Sequence, residues 1–124
     1  MRITADLAAI VRTAPAVRIT YTPVNPTSTL HDIDTQAGSG SAFAPTITYN
    51  GTGDVTLTFP TYWTDSYGVQ WPISLRFVKA TAHYSATAPT LAIPATFNRN
   101  SVRIFTWRTD TDVAFDVKTT VTIY

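Results

Sequence analysis

The sequence predicts an all-β protein: an antiparallel β-sandwich, jelly-roll or Ig-like, preceded by a short N-terminal helix or arm. Val, Ile, Thr and the aromatics fill 58 of the 124 positions, whereas Leu, Lys, Glu, Gln, Met and Arg together fill 17, so strand formers dominate. All eight acidic residues are Asp, which removes the Glu that commonly coats helix surfaces. After residue 16 apolar side chains recur with a period of two, and Thr takes many of the alternate places.

The length suits one domain that buries roughly two-thirds of its unfolded surface. With 44% hydrophobic and 14% charged residues and a net charge of +1, the composition excludes a disordered chain and a polyanion binder. The absence of cysteine excludes disulfides and thiolate chemistry. A membrane-spanning helix needs about 20 consecutive apolar residues, and the run near the start reaches only from Leu7 to Val11. That run, with Arg2 before it and Ala14-Pro15-Ala16 after it, has the outline of a secretory signal, but Asp6 and Arg12 bound the apolar centre too tightly. Arg99, Arg103 and Arg108 form the one local concentration of cations, and a trio of that size suits a solvated strand face or an interface rim. Neither a membrane nor a nucleic acid is expected as a partner.

Taken in order, Ile3, Leu7, Ile10 and Val11 recur at helical spacing, Thr4 suits the cap, Asp6 suits the first turn, and Pro15 stops the pattern. The spacing predicts one short amphipathic helix over about 4–13 within an anchor segment, residues 1–15; an extended arm is the alternative. Such a helix is marginal alone, so it docks on its own domain, on a neighbouring subunit or on another protein. Residues 16–124 then form a single sandwich domain. Val17, Ile19 and Tyr21 alternate with Arg18, Thr20 and Thr22 as a strand that Pro23 and Pro26 end. Residues 23–44, rich in Pro, Thr, Ser and Gly, read as a long loop or linker. Thr46 to Asn50, Gly51-Thr52-Gly53 and Asp54 to Phe59 form a β-hairpin with Val55, Leu57 and Phe59 on one face.

Residues 61–72 read as a loop carrying Tyr62, Trp63, Tyr67 and Trp71. Alternation resumes at Ile73, Leu75 and Phe77, and a bulge over Phe77 to Lys79 reconciles it with Val78, Ala80 and Ala82 on the opposite parity. Leu91, Ile93, Ala95 and Phe97 alternate next, with Pro94 requiring an edge or an irregularity. Asn98-Arg99-Asn100 reads as a tight turn into Val102, Ile104 and Thr106, with Phe105 and Trp107 on the other face. A last strand with Val113, Phe115, Val117, Val121 and Ile123 on one side completes seven or eight strands.

Chemistry-bearing constellations are few. His31-Asp32-Ile33-Asp34 contains the Asp-x-Asp opening of a calcium loop, but Ala37 stands where that loop needs Gly and Phe43 where it needs Glu, so no metal site is expected. His83 has no nucleophile elbow or ligand partner nearby and reads as a hydrogen-bonded structural histidine. Pairs of Asp meet glycosidase spacing by chance on a small sandwich, and Asp110-Thr111-Asp112 reads as a turn. No catalytic residue and no cofactor is expected. Tyr62, Trp63, Tyr67 and Trp71 are the candidate binding or interface residues, together with Ile3, Leu7, Ile10 and Val11. The four aromatic rings suit stacking on a sugar, with Asp65 and Gln70 beside them for hydroxyls, or else Trp63 and Trp71 plug the open end of the sandwich or an interface with another subunit.

The stretch Ile47-Thr48-Tyr49-Asn50-Gly51-Thr52-Gly53-Asp54-Val55-Thr56-Leu57-Thr58-Phe59-Pro60 resembles a hairpin of small β-sandwich domains in bacteriophage tail fibres and capsid-decorating proteins. The Thr-rich, Glu-free and Cys-free composition is similar as well, and so is the closing run Val117-Lys118-Thr119-Thr120-Val121-Thr122-Ile123-Tyr124. The likeness spans residues 45–124. It implies a non-enzymatic structural protein of the virion, a homo-oligomer and often a trimer, with other virion proteins as partners. It supplies no catalytic residues. A carbohydrate-binding, host-attachment module acting through the aromatic loop is the alternative, with a surface glycan as ligand.

Overall fold

The computed structural model describes residues 17–35, 44–64, 67–72, 75, 78–83 and 88–123. The anchor stripe of Ile3, Leu7, Ile10 and Val11, and the bulge expected at Phe77, lie outside the described residues.

Two antiparallel sheets pack face to face as a β-sandwich. The first holds β1 (Val17–Thr22), β2 (Thr29–Thr35), β7 (Val78–Ala82) and β11 (Thr119–Ile123) in the order β2-β1-β11-β7. The second holds β3 (Thr46–Gly51), β4 (Asp54–Thr58), β8 (Thr90–Phe97), β9 (Ser101–Arg108) and β10 (Val113–Ala114). In it β9 is central, with β8 along one side and β4, continued by β10, along the other. A separate hairpin is made by β5 (Tyr62–Thr64) and β6 (Gln70–Pro72).

The period of two becomes the core directly. Val17, Ile19, Tyr21, Val78, Val121 and Ile123 from the first sheet meet Val55, Leu57, Ala92, Val102 and Ile104 from the second. Leu57 and Ile104 are fully buried, and each such side chain contributes about 1.5–3 kcal/mol relative to exposure. Thr20 of β1 and Thr120 of β11 lie opposite each other on the outer face and share a hydrogen bond of 2.9 Å.

Four expectations need correction. Residues 29–35 are a strand, not loop: β2 pairs along β1, and a register shift at Thr20/Tyr21 explains why its apolar residues, Leu30 and Ile33, are three apart. Residues 61–72 are not a loop throughout, because backbone pairing of Tyr62, Trp63 and Thr64 with Pro72, Trp71 and Gln70 makes the two short strands of the hairpin. In β8 the parity is reversed at its start: Ala92 is buried while Leu91 and Ile93 are exposed on the outer face, opposite Trp107 and Phe105. Pro94 is accommodated as expected, since among the described residues β8 pairs only with β9 and forms an edge. Finally, residues 113–123 are two strands in different sheets. Val113 is exposed, and the chain crosses at 115–118 to reach β11.

The crossing is fastened by Asp116. Its Oδ2 accepts from Tyr49 Oη at 2.6 Å and its Oδ1 from the Gly53 backbone N–H at 2.7 Å. Donation to the carboxylate secures the phenol proton and raises the pKa of Tyr49 above its ordinary value. Gly53 has φ 69°, and its carbonyl accepts from Thr106 N at 2.9 Å, so the tip of the β3–β4 hairpin lies against β9.

Candidate interaction surface

Strand registers divide the sandwich into two unlike ends. At one end Val17 pairs with both Ile123 and Thr35, Ile123 pairs with Val78, and Thr46, Thr58 and Ser101 align across the second sheet. Strand β1 begins here. The opposite end carries the tight connections, including the 23–28 turn and the Gly51-Thr52-Gly53 tip.

The aromatic hairpin also stands at the first end, and the turn between β8 and β9 holds both of its roots. On one side Phe59 N donates to Asn100 O at 2.7 Å, and Asn100 Nδ2 donates to Phe59 O at 2.8 Å. On the other side Leu75 N donates to Arg99 O at 2.8 Å. Phe59 is buried and Leu75 packs on the core, so the insertion is pinned where it leaves the sandwich. Beyond these roots, among the described residues, β5 and β6 pair only with each other.

Of the ring positions singled out from the sequence, Tyr62 is 53% exposed and Tyr67 91% exposed, with Val69 beside them at 48%. Trp63 and Trp71 are directly paired in register. The hairpin therefore brings the four aromatic positions onto one short element. Sequence reasoning found the residues but missed the clamp, because a side-chain bond spanning 41 residues leaves no local signature.

A second apolar strip was missed. On the outer face of the second sheet Leu91 and Ile93, 44% and 42% exposed, lie beside half-buried Trp107 and Phe105. Arg103 covers the Phe105 ring at 4.9 Å to its centroid and forms an ion pair with Asp54. Desolvation alone raises the pKa of Asp54, but hydrogen bonds from Arg103 and Asn50 outweigh it and hold the carboxyl below its ordinary value. Arg108 bonds Asp110 through two nitrogens and lowers that carboxyl likewise. The arginine trio thus puts two members into ion pairs on a strand face, while the Arg99 carbonyl serves the hairpin root.

The histidines lie elsewhere, on the first sheet's outer side. His31 Nε2 is 2.7 Å from Thr22 Oγ1, and His83 Nε2 bonds Thr120 Oγ1, as a structural histidine does. Asp32 stands opposite Thr20 in register. Among the described residues no three His, Asp, Glu or Cys side chains group as a metal-ligand set. Asp110-Thr111-Asp112 forms a turn, with Asp112 at φ 55°. The architecture is that of an antiparallel β-sandwich with an aromatic insertion at one end, and no family model, curated protein or solved structure matches the chain.

Proposed function

We propose that this chain is a non-enzymatic structural component of a bacteriophage virion: a capsid-decorating or fibre-type β-sandwich, displayed on the particle surface as a homo-oligomer. The observation that carries the reading is the clamped hairpin, which gathers exposed Tyr62, Tyr67 and Val69 between two roots tied to Asn100 and Arg99. Large apolar side chains presented together on one element suit contact with another protein surface. The virion assignment itself is supported by the likeness of the Ile47–Pro60 hairpin to those of phage surface domains. The composition without Glu or Cys supports it too.

Density-gradient fractionation of phage particles from the source culture, followed by mass spectrometry of the particle band, tests this. The chain is expected to sediment with assembled particles in a fixed ratio to the major capsid or tail protein. Recovery only in the soluble fraction at every stage of assembly defeats the reading.

A carbohydrate-binding role in host attachment is the second reading, favoured by the gathering of Tyr62, Trp63, Tyr67 and Trp71 within one short hairpin, since aromatic rings stack on the apolar faces of sugars. A glycan array probed with the wild type and with Tyr67→Ala tests it. Loss of a specific signal in the variant supports the role, and absence of any wild-type signal removes it.

A further inference from the structure

We propose that Asn50 is a site of covalent self-modification: the backbone nitrogen of Gly51 attacks its side-chain amide, and the asparagine becomes aspartate or isoaspartate at the tip of the β3–β4 hairpin. The inference goes beyond the virion reading and does not depend on it. The tip stands at the end of the sandwich opposite the aromatic hairpin.

The chemistry is intramolecular. The Gly51 nitrogen gives up its proton to hydroxide and adds to Cγ of Asn50, the Cγ–Nδ2 bond breaks, and the side-chain nitrogen leaves as ammonia. A five-membered succinimide remains. One water then opens the ring: breaking the bond between the Gly51 nitrogen and Cγ gives aspartate, whereas breaking the bond from that nitrogen to the main-chain carbonyl carbon gives isoaspartate. Nothing is oxidised or reduced, so hydroxide and water are the only co-reactants.

Three observations place the reaction at Asn50. The chain has four asparagines: Asn25 precedes Pro26, which has no N–H to lose, Asn98 precedes Arg99, Asn100 precedes Ser101, and Asn50 alone precedes a glycine. The attack brings the nitrogen of the following residue against Cγ, and a side chain on that residue crowds the approach. A Cβ at Gly51 would have nothing within 4 Å, so packing of the hairpin does not itself call for glycine there.

The backbone is also loosest at this position. The register shift between Tyr49 and Gly51 passes over Asn50, and a residue in such a bulge is released from the ladder. Gly51 faces Asp54 as the last pair before the Thr52-Gly53 turn. Swinging its nitrogen toward Cγ therefore opens one end of a ladder and leaves the middle closed.

Lastly, the amide is held at the surface. Asn50 is exposed, and its Nδ2 donates to Thr56 Oγ1 at 2.8 Å and to Asp54 Oδ1 at 3.2 Å. These two bonds must release before the ring closes, so they set the pace of the reaction. Conversion puts a carboxylate where the donor stood. Asp54 then loses one of the donors that hold its carboxyl low and gains a like charge beside it, and Arg103 is left to serve two carboxylates.

Peptide mapping by mass spectrometry of the full folded chain, sampled over time in mildly alkaline buffer, tests this. Peptides containing Asn50 are expected to gain the mass difference between an amide and an acid, as two chromatographically distinct isomers, before those containing Asn98 or Asn100 do. Gly51→Ala is expected to slow the gain about tenfold by crowding the attack. Thr56→Val removes one of the two bonds on the amide and is expected to speed the gain about threefold, while Thr56→Ser keeps an accepting hydroxyl and stays near the wild-type rate. Circular dichroism verifies the strand signature of each variant, and Gly51→Ala decides the matter if Thr56→Val does not fold. An Asn50 that keeps its original mass in the folded chain overturns the inference, as does an unchanged rate in folded Gly51→Ala or earlier conversion at Asn98 or Asn100. An unchanged rate in folded Thr56→Val overturns the control by the two hydrogen bonds.

Discussion

Asn100 holds Phe59 at both backbone polar groups: it accepts from Phe59 N through its own carbonyl at 2.7 Å and donates to Phe59 O through its side-chain amide at 2.8 Å. The second bond is available only to a side chain with an N–H donor of that length. It ties a core residue just past the end of β4 to a turn 41 residues away, and the aromatic hairpin begins a few residues beyond it.

Asn100→Asp keeps the shape and removes the donor. The Phe59 carbonyl then faces a carboxylate, and stability is expected to fall by about 1–3 kcal/mol, the range for a part-buried acceptor left without its donor. Urea unfolding measures this. Hydrogen exchange over residues 60–75 is expected to accelerate more than exchange in β9, because the clamp secures the root of the insertion. Uniform acceleration in both segments contradicts that role.

Gly53 has the opposite kind of necessity. Its φ of 69° lies where side chains are strained, and a Cβ there meets the Thr106 carbonyl, the Phe115 nitrogen at 3.0 Å and the Ala114 Cβ at 3.1 Å. Gly53→Ala is expected to cost about 3 kcal/mol or more, since backbone strain and a clash with main-chain atoms act together. Gly51→Ala, where a Cβ has nothing within 4 Å, is expected to change stability by less than about 1 kcal/mol. Thermal unfolding of the pair provides the comparison, and equal losses contradict the close approach of the hairpin tip to β9.

What the sequence revealed followed the strength of the period. The β3–β4 hairpin was legible because Val55 and Leu57 alternate with Asp54, Thr56 and Thr58, and the parity of β9 because Val102, Ile104 and Thr106 recur with a period of two. β2 was not, because the register shift at Thr20/Tyr21 breaks its period and its side chains are mostly polar. The β8 error has a related cause: Leu91 and Ile93 alternate as core residues do, yet small Ala92 takes the inward place and the larger pair lies on Trp107 and Phe105 outside. The run 113–123 misled because both halves alternate, and only Asp116, bonded to Tyr49 and Gly53, marks where the chain changes sheets. For the candidate site the rings were legible by composition. Their strand pairing was hidden because three residues per strand are too few to show a period.

The Asp54–Arg103 pair links stability to acid pH. The ordinary value for Asp is 3.8, and the folded value lies below it. Its contribution is therefore fully present above that value and is lost as pH falls through the folded pKa. Asp54→Asn removes this dependence, so the fall in Tm between about pH 6 and about pH 3 is expected to be smaller in the variant than in the wild type. Identical falls contradict the pairing. Both side chains keep partial solvent contact, so raised salt is expected to narrow the difference.

Tyr21 is 1% exposed, and its hydroxyl has no hydrogen-bond partner among the described residues. A buried hydroxyl in that state costs stability instead of adding it, so Tyr21→Phe, which keeps the ring in the core, is expected to be neutral or to stabilise by up to about 1 kcal/mol at neutral pH. Burial also pushes the phenol pKa far above the ordinary 10.0, because the phenolate loses its water. The unfolded chain releases this proton near 10.0 while the folded chain retains it, so the associated stability is present below that value and lost as pH rises above it. Phe has no such proton, and the variant is expected to keep more of its neutral-pH Tm at about pH 10.5 than the wild type does. Thermal melts of both proteins at the two pH values test both halves together. A loss of more than about 2 kcal/mol at neutral pH shows that the hydroxyl has a partner after all, and identical alkaline losses show that Tyr21 does not retain its proton in the core.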